Sequence, residues 1–237
     1  MIVISQPTYL PWPGYFSLIR QSDHFIFLDD VQFDSRSWQQ RNKILVNGKY
    51  FYLTIPIKKK GLKSQLIKNC EIQDNKFFRN HLKTIKHNYS KAKYFDDFFF
   101  EFEKLNAHIE NQKKLSDVNI LIIKKILKIL KIKKKITKSS DFNTQSKKTE
   151  KLINLITISK EKVYLSNTGA KKYLYEDLDK FNKKKIKVKI LNFENKPYKQ
   201  LNSNFVSNLS ILDLLFNLGE KSLDYIDNCT SIETLSQ

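Results

Sequence analysis

The sequence predicts an α/β fold, a parallel sheet carrying a β-hairpin extension and a helical insert, and three observations lead there. Strand-like, loop-like, helix-like and strand-like segments follow one another at the start, an Asn-Gly pair separates two apolar runs, and residues 75–135 change to a helical period. "MIVISQ" is a β-branched run that ends at Pro7, which marks a buried first strand and then a loop. "GYFSLIRQSD" reads as a helix opening at Gly14, and "HFIFLDD" as a second strand closing on two carboxylates. That order is a βαβ unit, so the sheet is parallel and Rossmann-like. "KILVNGKYFYLTIPI" reads as a hairpin turning at Asn47-Gly48, where positive φ is cheap for both residues, and its strands are expected to extend the sheet.

Further along, Leu115, Val118, Ile122, Ile126 and Ile129 share one helical face, while Lys124, Lys128, Lys131 and Lys135 share the opposite, solvated one. "TKSSDFNTQSKKTE" reads as a linker or mobile loop. "KVYLSNTGAKKYLYEDLDKF" then gives strand, tight loop and helix, and "IKVKILNF" another strand. A last helix, "SILDLLFNLG", starts at the N-cap Ser210 and stops at Gly219. The expected division is an N-terminal α/β half with the hairpin at 1–74, a helical insert at 75–138, a linker at 139–150 and a C-terminal half at 151–237 that completes the same domain.

Composition narrows the function classes. The chain has 237 residues, 41% of them hydrophobic, which is enough for a substantial core. Its net charge of +19 invites phosphate binding, yet only four of the 43 basic residues are Arg. Lysine-rich, Ile- and Asn-rich usage of this kind is the mark of an AT-rich coding sequence, and no aromatic-basic module stands out, so nucleic acid is not the expected partner. The most apolar stretch, "LIIKKILKILKI", is broken by lysines, so no membrane span is expected and a cytoplasmic location is. Cys70 and Cys229 lie far apart and match no ligand spacing, which argues against a disulfide or a metal site.

Ligands of open α/β sheets bind beyond the carboxyl ends of the strands. Three unusual segments fall at such ends. The first, "SQPTYLPWPGY", holds three of the five prolines, one of the five glycines and one of the two tryptophans. Gln6, Tyr9, Pro11, Gly14 and Tyr15 are its candidate substrate-binding residues, with Gly14 opening a helix N-terminus that favours an anion. The second segment supplies Asp29, Asp30, Gln32, Trp38, Gln39, Arg41 and Asn42. Arginine offers a fork for carboxylate or phosphate, and the acids suit a sugar hydroxyl, an amine or a metal ion. The third, "LSNTGAKKYL", offers Ser166, Asn167, Thr168, Gly169 and Lys171 as a phosphate cradle without Walker A spacing. Asp30 and His87 are the candidate bases, and Asp30 in that role requires burial. A structural Arg–Asp network in the second loop and an aromatic roof over the sheet in the first stay open as alternatives.

"QPTYLPWPGYF", "DHFIFLDDVQF", "WQQRN", "LTIPI", "YLSNTGAKKYL" and "LSILDLLFNLG", in this order, resemble the WbqC-like proteins. The resemblance runs from Ile2 to about Gly219. Members of that family are typically encoded among genes for O-antigen and other surface polysaccharides, which implies a role on an activated sugar. A remoter likeness links Pro7 and Thr8, and Gln32 and Phe33, to the start of pantothenate synthetase, a nucleotidyltransferase-superfamily ligase, and Ser166 to its later phosphate-binding segment. The paired histidines of that enzyme's signature are absent, and Pro13 and Tyr15 stand in their place. The resemblance therefore implies a nucleotidyltransferase-like fold and an enzyme that binds a nucleotide or nucleotide-linked amino sugar and modifies it by amide or acyl transfer. ATP and an acyl donor both stay open as cofactor, and a non-catalytic scaffold of the same pathway is the alternative.

Overall fold

The computed structural model describes residues 1–58, 64–142, 144–202 and 204–236. Its main sheet has six strands in the order β5-β2-β1-β6-β7-β8. These are β1 (Ile2–Ser5), β2 (His24–Phe27), β5 (Lys135–Lys138), β6 (Val163–Asn167), β7 (Lys187–Phe193) and β8 (Thr230–Thr234). All neighbours are parallel except β7 and β8, which run antiparallel. Counted in chain order within the sheet, the strands lie 3-2-1-4-5-6, so the winding reverses between β1 and β6. The α/β fold and the initial βαβ unit expected from the sequence are both present.

Parallel sheets are covered on both sides, and the strand residues divide accordingly. Val3, Phe25, Phe27, Leu165 and Leu191 face a core shared with α1 (Pro13–Gln21), α8 (Ile211–Leu218), α9 (Ser222–Asn228) and the insert. Ile2, Ile4, Ile26, Tyr164 and Val188 face α5 (Lys148–Ile158), α6 (Lys171–Glu176) and α7 (Leu178–Lys183). Helix α1 begins with Pro13, whose missing N–H costs nothing at that position. Its Arg20 forks onto Asp227 of α9 at 2.6 and 2.7 Å. Ser210 caps α8 by accepting from the Leu212 amide, as its sequence predicts.

The hairpin, β3 (Arg41–Val46) and β4 (Lys49–Thr54), turns at Asn47 (φ 49°) and Gly48 (φ 76°). It does not extend the main sheet as expected; it forms a two-stranded sheet of its own. The sheet edges are taken by β5 and β8, and the hairpin is instead pinned elsewhere. The Ser210 amide donates to the Lys43 carbonyl, and the Leu45 amide to the Tyr89 hydroxyl.

The insert contributes α2 (Phe77–Tyr89), α3 (Phe95–Glu110) and α4 (Leu115–Ile129). Its predicted apolar face is buried apart from the half-buried Ile129, and its residues join the core on one face of the sheet. Two boundaries need correction. Residues 135–138 belong to the sheet as β5, paired with β2, rather than to the insert. Short, lysine-bearing β5 lacks apolar alternation because it is an edge strand, where lysine discourages further pairing. The segment read as a linker packs against the end of β2 through Ser139 and Ser140, and α5 already begins at Lys148. Among the described residues, no helix is long and apolar enough to cross a membrane.

Candidate functional site

The reversal point between β1 and β6 opens into a cavity of about 630 Å³. That volume lies within the range of small-molecule sites. Ile4 and Ser5 of β1 and Tyr164 and Ser166 of β6 form its floor. Its walls come from both long loops and from the first turn of α5. Trp12, Tyr15, Trp38 and Tyr173 add aromatic surface, while Lys148 and Lys151 add positive charge.

The two loops hold each other. The Tyr9 amide donates to the Trp38 carbonyl at 2.9 Å, and the Gln39 side chain donates to Gln6 Oε1 at 2.8 Å while accepting from the Asp34 amide. Asn42 donates to the carbonyls of Tyr9 and Leu10 and accepts from the Lys43 amide. Leu10 is left at φ 42°, a turn that the Asn42 amide satisfies. Asn119 of α4 then donates to both loops, at the Pro7 and Gln39 carbonyls. Much of the polar chemistry nominated for a ligand is therefore used to build the wall. One group on the lining is left over: the Thr8 hydroxyl is buried and has no partner among the described residues.

The paired acids at the end of β2 are held by side chains and amides that lie more than a hundred residues further along the chain. Asp29 is buried and receives the Ser140 amide at 3.0 Å and the Ser140 hydroxyl at 2.8 Å. The Ser139 hydroxyl lies between Asp29 and Asp30. The second Asp30 oxygen accepts from Lys151 Nζ at 2.8 Å, and the Thr144 hydroxyl is 3.3 Å from the same ammonium. Both side chains of this ion pair are nearly enclosed, 11% exposed for Asp30 and 6% for Lys151. Asp30 is thus engaged as the partner of a cavity-lining lysine and is not a free base.

Of the predicted residues, Gln6, Tyr15, Trp38, Gln39 and Asn42 line the cavity, as do Ser166, Asn167 and Gly169. The others do not. Tyr9 is fully buried beside Phe77 of α2, and its hydroxyl meets His81 Nδ1 at 2.7 Å. Burial drives His81 down to about 4 and Tyr9 well above its ordinary value, so the tyrosine donates to a neutral imidazole. Pro11 is buried, and its carbonyl accepts from the Ile211 amide. Gly14 serves Trp12: a Cβ there would stand 2.2 Å from the indole, so glycine lets the ring lie on the helix start where an anion was expected. Gln32 is exposed and bridges to Leu66. Arg41 stacks on Tyr52, with its guanidinium carbon 4.2 Å from the ring centre. Thr168 lies off the lining, and Lys171 pairs with Glu233 at 2.8 Å. His87 is exposed in the last turn of α2, away from the lining.

Sequence reasoning missed Lys151, Lys148, Tyr173 and Asn119. Lys151 carried a signal, being the one lysine placed on the apolar side of "KTEKLINLI", where a charge needs a partner.

The profile of the WbqC-like protein family matches residues 6–225. A protein of Mycobacterium tuberculosis (strain ATCC 25618 / H37Rv), described as uncharacterized protein Rv1507c, is 32% identical over 229 residues, covering 96% of this chain and 98% of its own length. No solved structure matches. The loops that build the cavity fall inside the matched span, and the chain belongs to the WbqC-like protein family.

Proposed function

We propose that this protein is an enzyme of surface-polysaccharide (O-antigen) biosynthesis that binds a nucleotide-linked amino sugar in the reversal-point cavity and modifies it by amide or acyl transfer. The buried Asp30–Lys151 pair carries the reading. The Lys151 ammonium gives one N–H to Asp30 and one to Thr144, which leaves the third for a ligand anion, and burial there strengthens the attraction. In this reading Lys151 takes a phosphate or carboxylate of the ligand and Asp30 positions it. Gln6, Ser166 and the unpartnered Thr8 hydroxyl suit sugar hydroxyls, and Trp12, Tyr15 and Trp38 suit a ring face. The acyl group comes either from a carboxylic acid that ATP activates, which is ligase chemistry, or from a thioester whose thiol leaves, which is transferase chemistry.

A second reading has its own support. Among the described residues no histidine lines the cavity, and its one carboxylate, Asp177, is bonded to Thr149 and Lys180. A site that binds without turnover, in a scaffold of the same pathway, accords with that.

A thermal-shift series with UDP- and dTDP-linked amino sugars, ATP and acyl-CoA tests the proposal, since a ligand of the folded state raises the Tm by mass action. Stabilisation by a nucleotide-sugar that is lost in the Asp30→Leu/Lys151→Met double variant is the expected result. No stabilisation by any of the series contradicts it. Product formation with an acyl donor separates the enzyme from the scaffold.

A further inference from the structure

Beside the cavity, the outer face of the hairpin and the loop that leads into it carry a row of aromatic rings. Trp38 and Tyr52 have centroids 6.3 Å apart, and Tyr52 and Tyr50 are 5.6 Å apart. Two cations rest on these rings. Arg41 lies over Tyr52, and Lys43 Nζ stands 4.5 Å from the centre of Tyr50 and 5.5 Å from that of Trp38. Neither cation forms an ion pair with a carboxylate among the described residues. Residues 41–54 contain Arg41, Lys43 and Lys49 and no acid at all.

Aromatic faces hold a cation in place without neutralising it, whereas a carboxylate would do both. Two positive heads fixed on one wall are therefore a preorganised receptor for a multiply charged anion. Trp38 is the link: it lines the cavity on one side and meets Lys43 on the other.

We propose that Arg41 and Lys43, carried on the Trp38–Tyr52–Tyr50 platform, form a rim site that takes the multiply charged end of a ligand whose other end enters the cavity. The link to the cavity's ligand rests on the function proposed above, while the rim site stands by itself. Its chemistry is two or more closely spaced negative oxygens, which a diphosphate or a run of uronate carboxylates supplies.

The test is titration calorimetry at low ionic strength with inorganic pyrophosphate and, separately, trigalacturonate. Arg41→Gln/Lys43→Gln is compared with wild type, with Lys49→Gln on the opposite hairpin face, and with Asp30→Leu/Lys151→Met. At least one of the two anions binds wild type, and its affinity falls about tenfold or more in the rim variant, by the loss of two charge-assisted contacts. It changes less than about twofold in Lys49→Gln and in the cavity double variant, as expected for charges that make no such contact. The anion that binds identifies the source, phosphate or carboxylate. Absence of binding by both, or an equal loss in Lys49→Gln, overturns the rim site. Loss in the cavity double variant alone also overturns it, placing the anion at Lys151 instead. If the rim variant alone loses pyrophosphate while nucleotide-sugars fail to stabilise the protein, the rim site stands and the cavity reading falls.

Discussion

Two carboxylates, the largely enclosed Asp30 and the buried Asp213, are held in opposite ways. Asp30 meets a lysine and a serine at the edge of a cavity. Asp213 is fully buried in α8, and its donors among the described residues are all neutral: Tyr89 at 2.9 Å, Tyr198 at 2.6 Å and Gln200 at 2.9 Å. Burial raises Asp213 above the ordinary carboxylate value, and the three donors only partly oppose it. A carboxylate with neutral partners binds elements together, here α2, α8 and the strap around Tyr198. One with a cationic partner at a cavity keeps a positive group where a ligand can reach it. The difference makes Asp213 architectural and, in the function proposed above, makes Asp30 the holder of the cavity-lining Lys151.

That distinction breaks first if Asp30→Asn is harmless. Losing one partner strands the Lys151 charge, so the variant is expected to lose about 4 kcal/mol in urea unfolding, and Asp30→Leu/Lys151→Met to recover most of it. A smaller effect belongs to His81, a half-buried imidazole whose partners among the described residues are neutral. Its folded pKa of about 4 lies below the ordinary 6.5, so the unfolded chain takes up the proton first. Its share of stability is complete above pH 6.5 and is lost as pH falls towards 4, about 3 kcal/mol in all. Asp213 has the opposite sign, because its cost is relieved as pH falls. The difference in stability between wild type and His81→Gln, followed from pH 7 to pH 4, isolates the histidine.

Tyr89→Phe comes next. It removes a donor to Asp213 and the acceptor of the Leu45 amide, and a loss of about 2 kcal/mol by chemical denaturation is expected. Asp213→Asn sharpens the comparison most by its smallness. No cation is stranded and a buried charge disappears, so a change within about 1 kcal/mol at pH 7 is expected against the large loss for Asp30→Asn.

The sheet and the place of the cavity were legible because they depend on local patterns. β-branched runs, the Asn47-Gly48 turn and the Ser210 cap each declare their element within a few residues. What a polar side chain does there was not legible, because its partners are distant in sequence. Asn42 was nominated for a ligand and binds the Tyr9 and Leu10 carbonyls 33 and 32 residues away, and Lys151 reaches Asp30 across 121 residues. Asn119, in the middle of an apolar helix, gave no hint that it fastens two loops near 7 and 39. β5 escaped notice because edge strands tolerate lysines, and the apparent linker was ordered by acids that precede it by more than a hundred residues.

In the proposed function Lys151, poised by Asp30, anchors an anionic ligand at the point where the sheet reverses. Calorimetric titration of UDP- and dTDP-linked amino sugars into wild type and into Asp30→Leu/Lys151→Met measures it most directly. Binding to wild type is expected, with an affinity loss of about a hundredfold in the double variant and its fold intact by circular dichroism. Equal affinity in the two proteins would contradict it.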